Sequence, residues 1–391
     1  MRDNLARLRR KIVGFIYRVL SIVNRYTIHK EIILIYDPKS DKFDNTGALF
    51  DYLIENNYNK KYKIINICKN YKELSLHSIN NVVWGGRIKG FFCFFSAKYV
   101  YYRSSAISII PAKGQYVIQM WHGSPCKGGQ SYNCRTDGWI NPYYTGFLSA
   151  SKEFNEIFSK VFSVPVDKMI LCGHPRTDIL FKHFPKYEMG EYKKLIIWTP
   201  TYRKYKKYRY GVEKQLTNDD KLLPIIPIED FEEVNDYLKQ KGVKVVIKLH
   251  PMQSLEKYEM KHLDFFVLLS DDDFKSKGMD IYRFMTQCDA MITDYSSIYW
   301  DFLVLDRPIG FTEDDAEDYA TGRGFVMDDP EKYKPGPKLM TKSDFYKFID
   351  DTANDVDEYK IQRKEMNEYG NPVTDGNSCR RALECVGITR N

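Results

Sequence analysis

Short runs of β-branched and aromatic residues alternate with amphipathic stretches along most of the chain. Residues 31–36, 62–68, 98–102 and 116–121 read as strands, each bounded by Pro, Gly, Asn or Asp. Residues 45–56, 91–97 and 152–162 carry the helical period between them. A strand over 169–172 and a short helix over 176–184 follow, and the charged stretch 184–194, with its Pro and Gly, reads as a linker. The rhythm then restarts, with strands at 195–199, 243–249, 265–269, 290–293 and 308–311 and helices at 230–241, 280–287 and 297–305. Strands without strict alternation, separated by helices, imply parallel sheets buried on both faces. The predicted fold class is therefore α/β, with two doubly wound domains facing a cleft. Its divisions are an N-terminal segment 1–30, a first domain 31–188 and a second domain 189–391 closed by the polar helical stretch 343–385.

Composition sharpens this picture in one place. The formal net charge is +7, and residues 1–30, with eight Lys/Arg against Asp3 alone, account for all of it. Within that segment Leu5, Leu8, Ile12, Phe15, Val19 and Ile22 recur at helical spacing, which gives a greasy face and a basic one. Such a helix suits an anionic membrane surface, or else packs on the protein's own core. No run of about 18 apolar residues predicts a membrane-spanning helix. The neutral remainder gives no support to a nucleic-acid partner.

The eight cysteines form no C-x-x-C pair and read as reduced thiols. His122, Cys126 and Cys134 match no zinc spacing, and Asp271-Asp272-Asp273 sits in a predicted turn, so no metal is expected. Neither G-x-G-x-x-G nor G-x-x-x-x-G-K-[ST] occurs, which removes the main support for dinucleotide and P-loop chemistry.

In open parallel sheets ligands lie beyond the carboxyl ends of the strands, so the polar residues that follow each strand are the candidates. His122-Gly123-Ser124 follows one strand, and Gly173-His174-Pro175-Arg176-Thr177-Asp178 another. In the second half Thr201 and Arg203, His250, and Asp294-Tyr295-Ser296-Ser297 hold the same position. Ser296 and Ser297 precede an apolar helix, where they act as an ordinary cap or as donors to a phosphate. His250 is placed to add a donor to that anion. His122 either takes a proton from an attacking hydroxyl or holds a turn. Arg176 and Asp178 pair with each other or line the cleft. Arg203 heads the basic, tyrosine-rich stretch 201–214, a solvated loop or a landing site for a polyanion.

Taken in order, eight segments resemble the CDP-glycerol:glycerophosphotransferase family, which builds teichoic acids and related bacterial surface polymers. They are QMWHGSPCKGG (119–129), FLSASKEFNEIF (147–158), LCGHPRTDILF (171–181), IIWTPTYR (196–203), VVIKLHP (245–251), ITDYSSIYWDFLVLDRPIGF (292–311), EDYATGRGF (317–325) and DGNSCRRALE (375–384). The resemblance implies a GT-B architecture of two Rossmann-like domains, with the nucleotide held mainly by the second, attached peripherally to the cytoplasmic face of the plasma membrane. It implies CDP-glycerol as donor, a lipid-linked saccharide or polymer as acceptor and no obligatory metal or other cofactor, and it leaves room for a homo-oligomer.

Carried over residue by residue, the resemblance makes His122 the base, with His250, Ser296 and Ser297 as phosphate contacts. Arg176 and Arg203 are helpers at the donor phosphates, Thr201 and Asp294 lie at the nucleotide, and Glu317, Arg323 and Gly324 close over it. The chain departs from the family's common pattern at Ser124 and Cys126, and again at His174 and Thr177. The implied reaction is transfer of glycerol phosphate to an acceptor hydroxyl with release of CMP. The alternatives are a CDP-ribitol donor, a GT-B glycosyltransferase using a nucleotide sugar and, least favoured, a non-catalytic scaffold.

Overall fold

The computed structural model describes residues 2–39, 44–103, 106–125, 143–201, 222–250, 263–322, 324–327 and 329–390, the side chains of 2–7, 318, 321 and 322 excepted. The described residues divide into two compact units, one holding those up to Ser124 with 143–181 and 372–390, the other holding Pro125 and Lys182–Asn371.

The first unit opens with α1 (Arg2–Arg25) and is built on seven strands: β1 (Lys30–Tyr36), β2 (Lys63–Ile67), β3 (Val82–Gly85), β4 (Ala97–Tyr102), β5 (Tyr116–Gln119), β6 (Gly146–Ser149) and β7 (Met169–Leu171). Their order is β3-β2-β1-β4-β5-β6-β7 and every pairing is parallel. Helices α2 (Asn45–Glu55), α3 (Tyr71–Leu74), α4 (Arg87–Phe94) and α5 (Asn155–Phe162) connect them. The predicted helix 91–97 lies earlier than its pattern suggested. Gly86 caps it, and Gly90 lets it press on the sheet where a Cβ would stand 2.7 Å from Tyr36 and Ile67 side-chain atoms. β3 and β6 are not among the predicted strands.

The second unit repeats the plan. β8 (Lys194–Thr199), β9 (Val243–Lys248), β10 (Phe266–Leu269), β11 (Ala290–Thr293), β12 (Ile309–Thr312) and β13 (Lys338–Leu339) run in the order β10-β9-β8-β11-β12-β13, all parallel. Around them lie α6 (Phe231–Lys241), α7 (Asp271–Ser276), α8 (Ile281–Met285), α9 (Ile298–Phe302), α10 (Ala316–Gly322), α11 (Lys342–Ala353) and α12 (Lys360–Gly370). Trp198, Phe231, Phe266 and Phe345 form the aromatic centre of its core. In both sheets the order reverses after the first strand, so each has a switch point, at β1/β4 and at β8/β11.

The C-terminal helices divide between the units rather than all closing the second. α11 packs in the core of the second unit, whereas α13 (Ser378–Glu384) and the residues after it bury Cys379, Ala382, Leu383, Val386 and Ile388 in the core of the first. The predicted turn at Asp271–Asp273 is instead the first turn of α7. Ser270 and Asp273 form a reciprocal capping box there, and Asp271 pairs with Lys248 and Lys275 at 2.8 Å each.

α1 is mounted unusually. Ser21 and Asn24 are buried, and Asn24 donates to the carbonyl of Ile110 at 3.1 Å and to Gln115 Oε1 at 2.9 Å, while Ser21 Oγ accepts from Ile110 N. Leu8, Ile12, Phe15, Ile16, Val19, Ile22 and Val23 are all exposed, Phe15 at 65%. The small and polar side of the helix faces the protein, and the apolar side faces outward. No helix among the described residues is long and apolar enough to cross a membrane.

Candidate functional site

In the first unit the switch point is bridged by charge. Asp37, the residue after β1, pairs with Arg103, the residue after β4. Arg103 Nη1 also donates to Asp44 Oδ2 at 2.6 Å, and Asp44 Oδ1 lies 3.7 Å from Arg176 Nη1. Arg176 in turn donates to the backbone oxygen of His122 at 2.7 Å. Burial pushes the Asp37 carboxyl above the usual carboxylate range, and the Arg103 guanidinium opposes that rise.

The loop carrying His122 is bent by its own sequence. Trp121 has φ 53°, in the left-handed region that costs a non-glycine residue roughly 1–2 kcal/mol. Gly123 follows at φ 134°, a conformation that a side chain rarely adopts. Four side chains hold the bend. Asn45 Nδ2 donates to the carbonyls of Met120 (3.1 Å) and Trp121 (2.9 Å), and Gln119 Oε1 accepts from Trp121 N at 3.0 Å. His174 Nε2 and Ser124 Oγ are 3.2 Å apart. The Trp121 ring lies over the His122 ring with centroids 3.8 Å apart and meets Phe162 at 4.5 Å.

The segment after β7 is pinned from behind. Asp178 accepts from the backbone N–H groups of Ser378 (2.8 Å) and Cys379 (2.7 Å), and Arg381 Nε donates to the carbonyl of Cys172 at 2.9 Å. Gly173, at φ 84°, passes so close that a Cβ there would stand 2.5 Å from Ser378 Oγ. His174 is buried, and desolvation first, then Arg176 and His122, lowers its pKa to about 3, so it is a neutral imidazole. Arg176 and Asp178, read from sequence as a pair or as cleft-lining, face different partners.

The second unit bridges its switch point with a carboxylate as well. Asp294, after β11, accepts from Thr201 N at 2.7 Å and Thr201 Oγ1 at 2.5 Å, and Thr201 lies two residues beyond β8. Beneath it the Thr199 and Thr293 hydroxyls are 3.1 Å apart, and Thr312 Oγ1 donates to the Thr293 carbonyl at 3.2 Å. Tyr295 stacks on Tyr319 of α10 with centroids 3.8 Å apart, and its hydroxyl donates to Asp315 at 2.9 Å. Lys334 pairs with Glu313 and sits over the Tyr295 ring at 5.5 Å.

Ser296 and Ser297 are half-buried just before α9, and Ser297 caps it without a side-chain hydrogen bond to the helix. His250 is half-buried two residues past β9. Glu317 is exposed on α10, and Gly324 follows that helix at φ 74°. Arg203 and Arg323 lie outside the described residues, as do Cys126 and Cys134. The structure thus brings His122 and Arg176 together in one unit, and Thr201 and Asp294 together in the other.

Sequence reasoning missed Asp37, Asp44, Asn45 and Arg103. Asp37 and Arg103 were accessible to the rule of reading one residue past each strand. Among the described residues no group of three His, Cys, Asp or Glu side chains is placed to hold a metal ion, and the described cysteines, Cys68, Cys93, Cys172, Cys288, Cys379 and Cys385, are free thiols.

The family model of the CDP-glycerol:poly(glycerophosphate) glycerophosphotransferases matches residues 16–387. The chain belongs to this family. It is a CDP-glycerol glycerophosphotransferase. It is 28% identical over 371 residues to a teichoic acid poly(glycerol phosphate) polymerase of Bacillus spizizenii, covering 88% of both chains. It is 27% identical over 373 residues to a teichoic acid glycerol-phosphate transferase of Staphylococcus aureus, covering 88% of this chain and 89% of that one. Among solved structures the wall teichoic acid polymerase TagF superposes with a TM-score of 0.68 at 18% identity over 98% of this chain and 94% of that one. A putative UDP-N-acetylglucosamine 2-epimerase from Listeria monocytogenes superposes with a TM-score of 0.54 at 12% identity over 91% and 95%. These likenesses give the fold, two Rossmann-like α/β domains of GT-B type.

Proposed function

We propose that this glycerophosphotransferase acts in teichoic acid or related surface-polymer synthesis, and that His122 is its base. The acceptor hydroxyl loses its proton to the His122 imidazole as its oxygen attacks the glycerol-bearing phosphorus of CDP-glycerol. A new P–O bond forms, the pyrophosphate P–O bond breaks, and CMP leaves with the electron pair. A phosphate leaving group of this kind requires no general acid. The larger demand is electrostatic, because charge redistributes over the pyrophosphate as it splits. His250, Ser296 and Ser297 serve that demand, with Thr201 and Asp294 shaping the nucleotide loop and Glu317, Arg323 and Gly324 covering it.

The observation that carries the reading is the placement of His122 at the carboxyl end of β5. It sits on a bend held by Asn45 and Arg176, where a catalytic group needs a fixed backbone. The acceptor is lipid-linked in this reading, and α1 docks on the anionic membrane where that acceptor resides. Support for docking comes from the outward apolar side of α1 beside exposed Arg9, Arg10, Lys11 and Arg18.

The test is CMP release from CDP-glycerol and, separately, CDP-ribitol, with and without a lipid-linked disaccharide, followed by mass spectrometry of the lipid. Acceptor-dependent release from CDP-glycerol, a mass gain in glycerol phosphate units and loss of turnover in His122→Ala are the expected results. Undiminished turnover by His122→Ala removes the base assignment. The number of units added separates a primase from a polymerase.

A further inference from the structure

We infer that Arg176 and the N-terminus of α2 are a positioning device for His122, with Arg176 acting through the His122 backbone rather than on the donor phosphates. The inference rests on the reading of His122 as the base. Three chain segments meet at this point: Asp44-Asn45 opening α2, Met120-Trp121-His122 leaving β5, and Arg176 following β7. Asn45 joins all three, since its Nδ2 donates to Met120 and Trp121 carbonyls while its Oδ1 accepts from Arg176 N at 3.1 Å. Its donors and its acceptor are thus committed to backbone groups of the other two segments.

Arg176 is buried, and its Nη1 is engaged with the His122 carbonyl. Its charge is matched within the same network, in which two arginines, Arg103 and Arg176, meet two aspartates, Asp37 and Asp44. A buried guanidinium whose charge is balanced in place supplies little attraction to a pyrophosphate. It does supply a rigid hold on the peptide plane that carries the imidazole. Rotation of that plane swings the His122 ring, so the network sets where the proton is taken up without touching substrate.

The experiment measures kcat and the donor KM of the full chain for CMP release from CDP-glycerol with a lipid-linked disaccharide, for Arg176→Lys, Asp44→Asn and Asn45→Ser. The positioning role predicts a kcat lowered at least tenfold in each, with the donor KM within about twofold of the parent. Asp44→Asn keeps the shape of the carboxylate and Asn45→Ser acts from a different side, so the signature is read from those that melt with the parent. A donor KM raised tenfold at unchanged kcat in Arg176→Lys makes Arg176 a phosphate ligand and overturns the inference. Parental kcat in Asp44→Asn and Asn45→Ser overturns it too. His122→Ala separates the two levels: if it is inactive while these variants are not, the device alone fails, and if it turns over normally, the base reading itself fails.

Discussion

Ser124 and His174, 50 residues apart in the chain, share a hydrogen bond of 3.2 Å in the first unit, between the loop that carries His122 and the loop that carries Arg176. They stand in two of the segments, 119–129 and 171–181, that resemble the family in sequence. The contact makes them one feature.

That pair carries a pH signature. The pKa of His174 in the folded chain, about 3, lies below its ordinary value of 6.5, because burial disfavours the imidazolium. The unfolded chain therefore binds a proton between these values that the folded chain does not. The stabilisation is complete above about pH 6.5 and is lost as pH falls toward 3. Between pH 7 and pH 5 the cost is about 2 kcal/mol. Urea unfolding at the two pH values checks this, and His174→Gln, which keeps a polar group near Nε2, flattens that part of the slope. An unchanged slope in the variant removes His174 as the cause.

The C-terminal tail is held on the first unit by Asp178, whose carboxylate accepts two backbone N–H groups at the start of α13. Asp178→Ala leaves both donors without it and costs about 2–3 kcal/mol. Hydrogen exchange locates the effect: the amides of Ser378 and Cys379 lose protection, while those of α11, in the other unit's core, keep theirs. Equal loss in α11 contradicts the assignment.

The outward side of α1 makes a prediction that separates binding from folding. Ile12 and Phe15 are exposed, so Ile12→Asp with Phe15→Asp leaves the melting temperature within a degree or two. Co-sedimentation with vesicles containing phosphatidylglycerol falls at least tenfold, since two apolar groups are lost and two negative charges face an anionic surface. Retained sedimentation means that some other surface holds the membrane.

Arg363 of α12 is fully buried and meets Asp357 at 2.6 and 2.8 Å and Asp306 Oδ1 at 3.2 Å. Arg363→Met leaves Asp357 without its partner. Both carboxylates retain some solvent, so the cost is about 2–3 kcal/mol, less than for a fully buried pair. Chemical denaturation measures it, and a loss under 1 kcal/mol shows that water replaces the guanidinium.

Much of this architecture is legible in the chain. Strands such as 290–293 and 243–248 carry consecutive apolar residues, Met291-Ile292 and Val245-Val246-Ile247, because both faces of a parallel sheet are covered, and that pattern survives without tertiary context. The rule of looking just past each strand reached His122, Thr201, His250 and Asp294. It did not single out Asp37 and Arg103, because their pairing joins residues 66 positions apart and leaves no local pattern. Asn45 was equally silent, since an asparagine after Asp44 reads as an ordinary helix start.

The sequence by itself determined the two strand–helix sets, the parallel sheets, the uneven charge of the first 30 residues and the strand-end groups, because these depend on local periodicity and composition. The tertiary structure alone decided which strand ends meet, that α1 turns its apolar side outward and that residues 372–390 return to the first unit. Those outcomes depend on contacts between residues as far apart as Asp178 and Ser378, whose pairing is fixed by packing and leaves no trace in the spacing of residues along the chain.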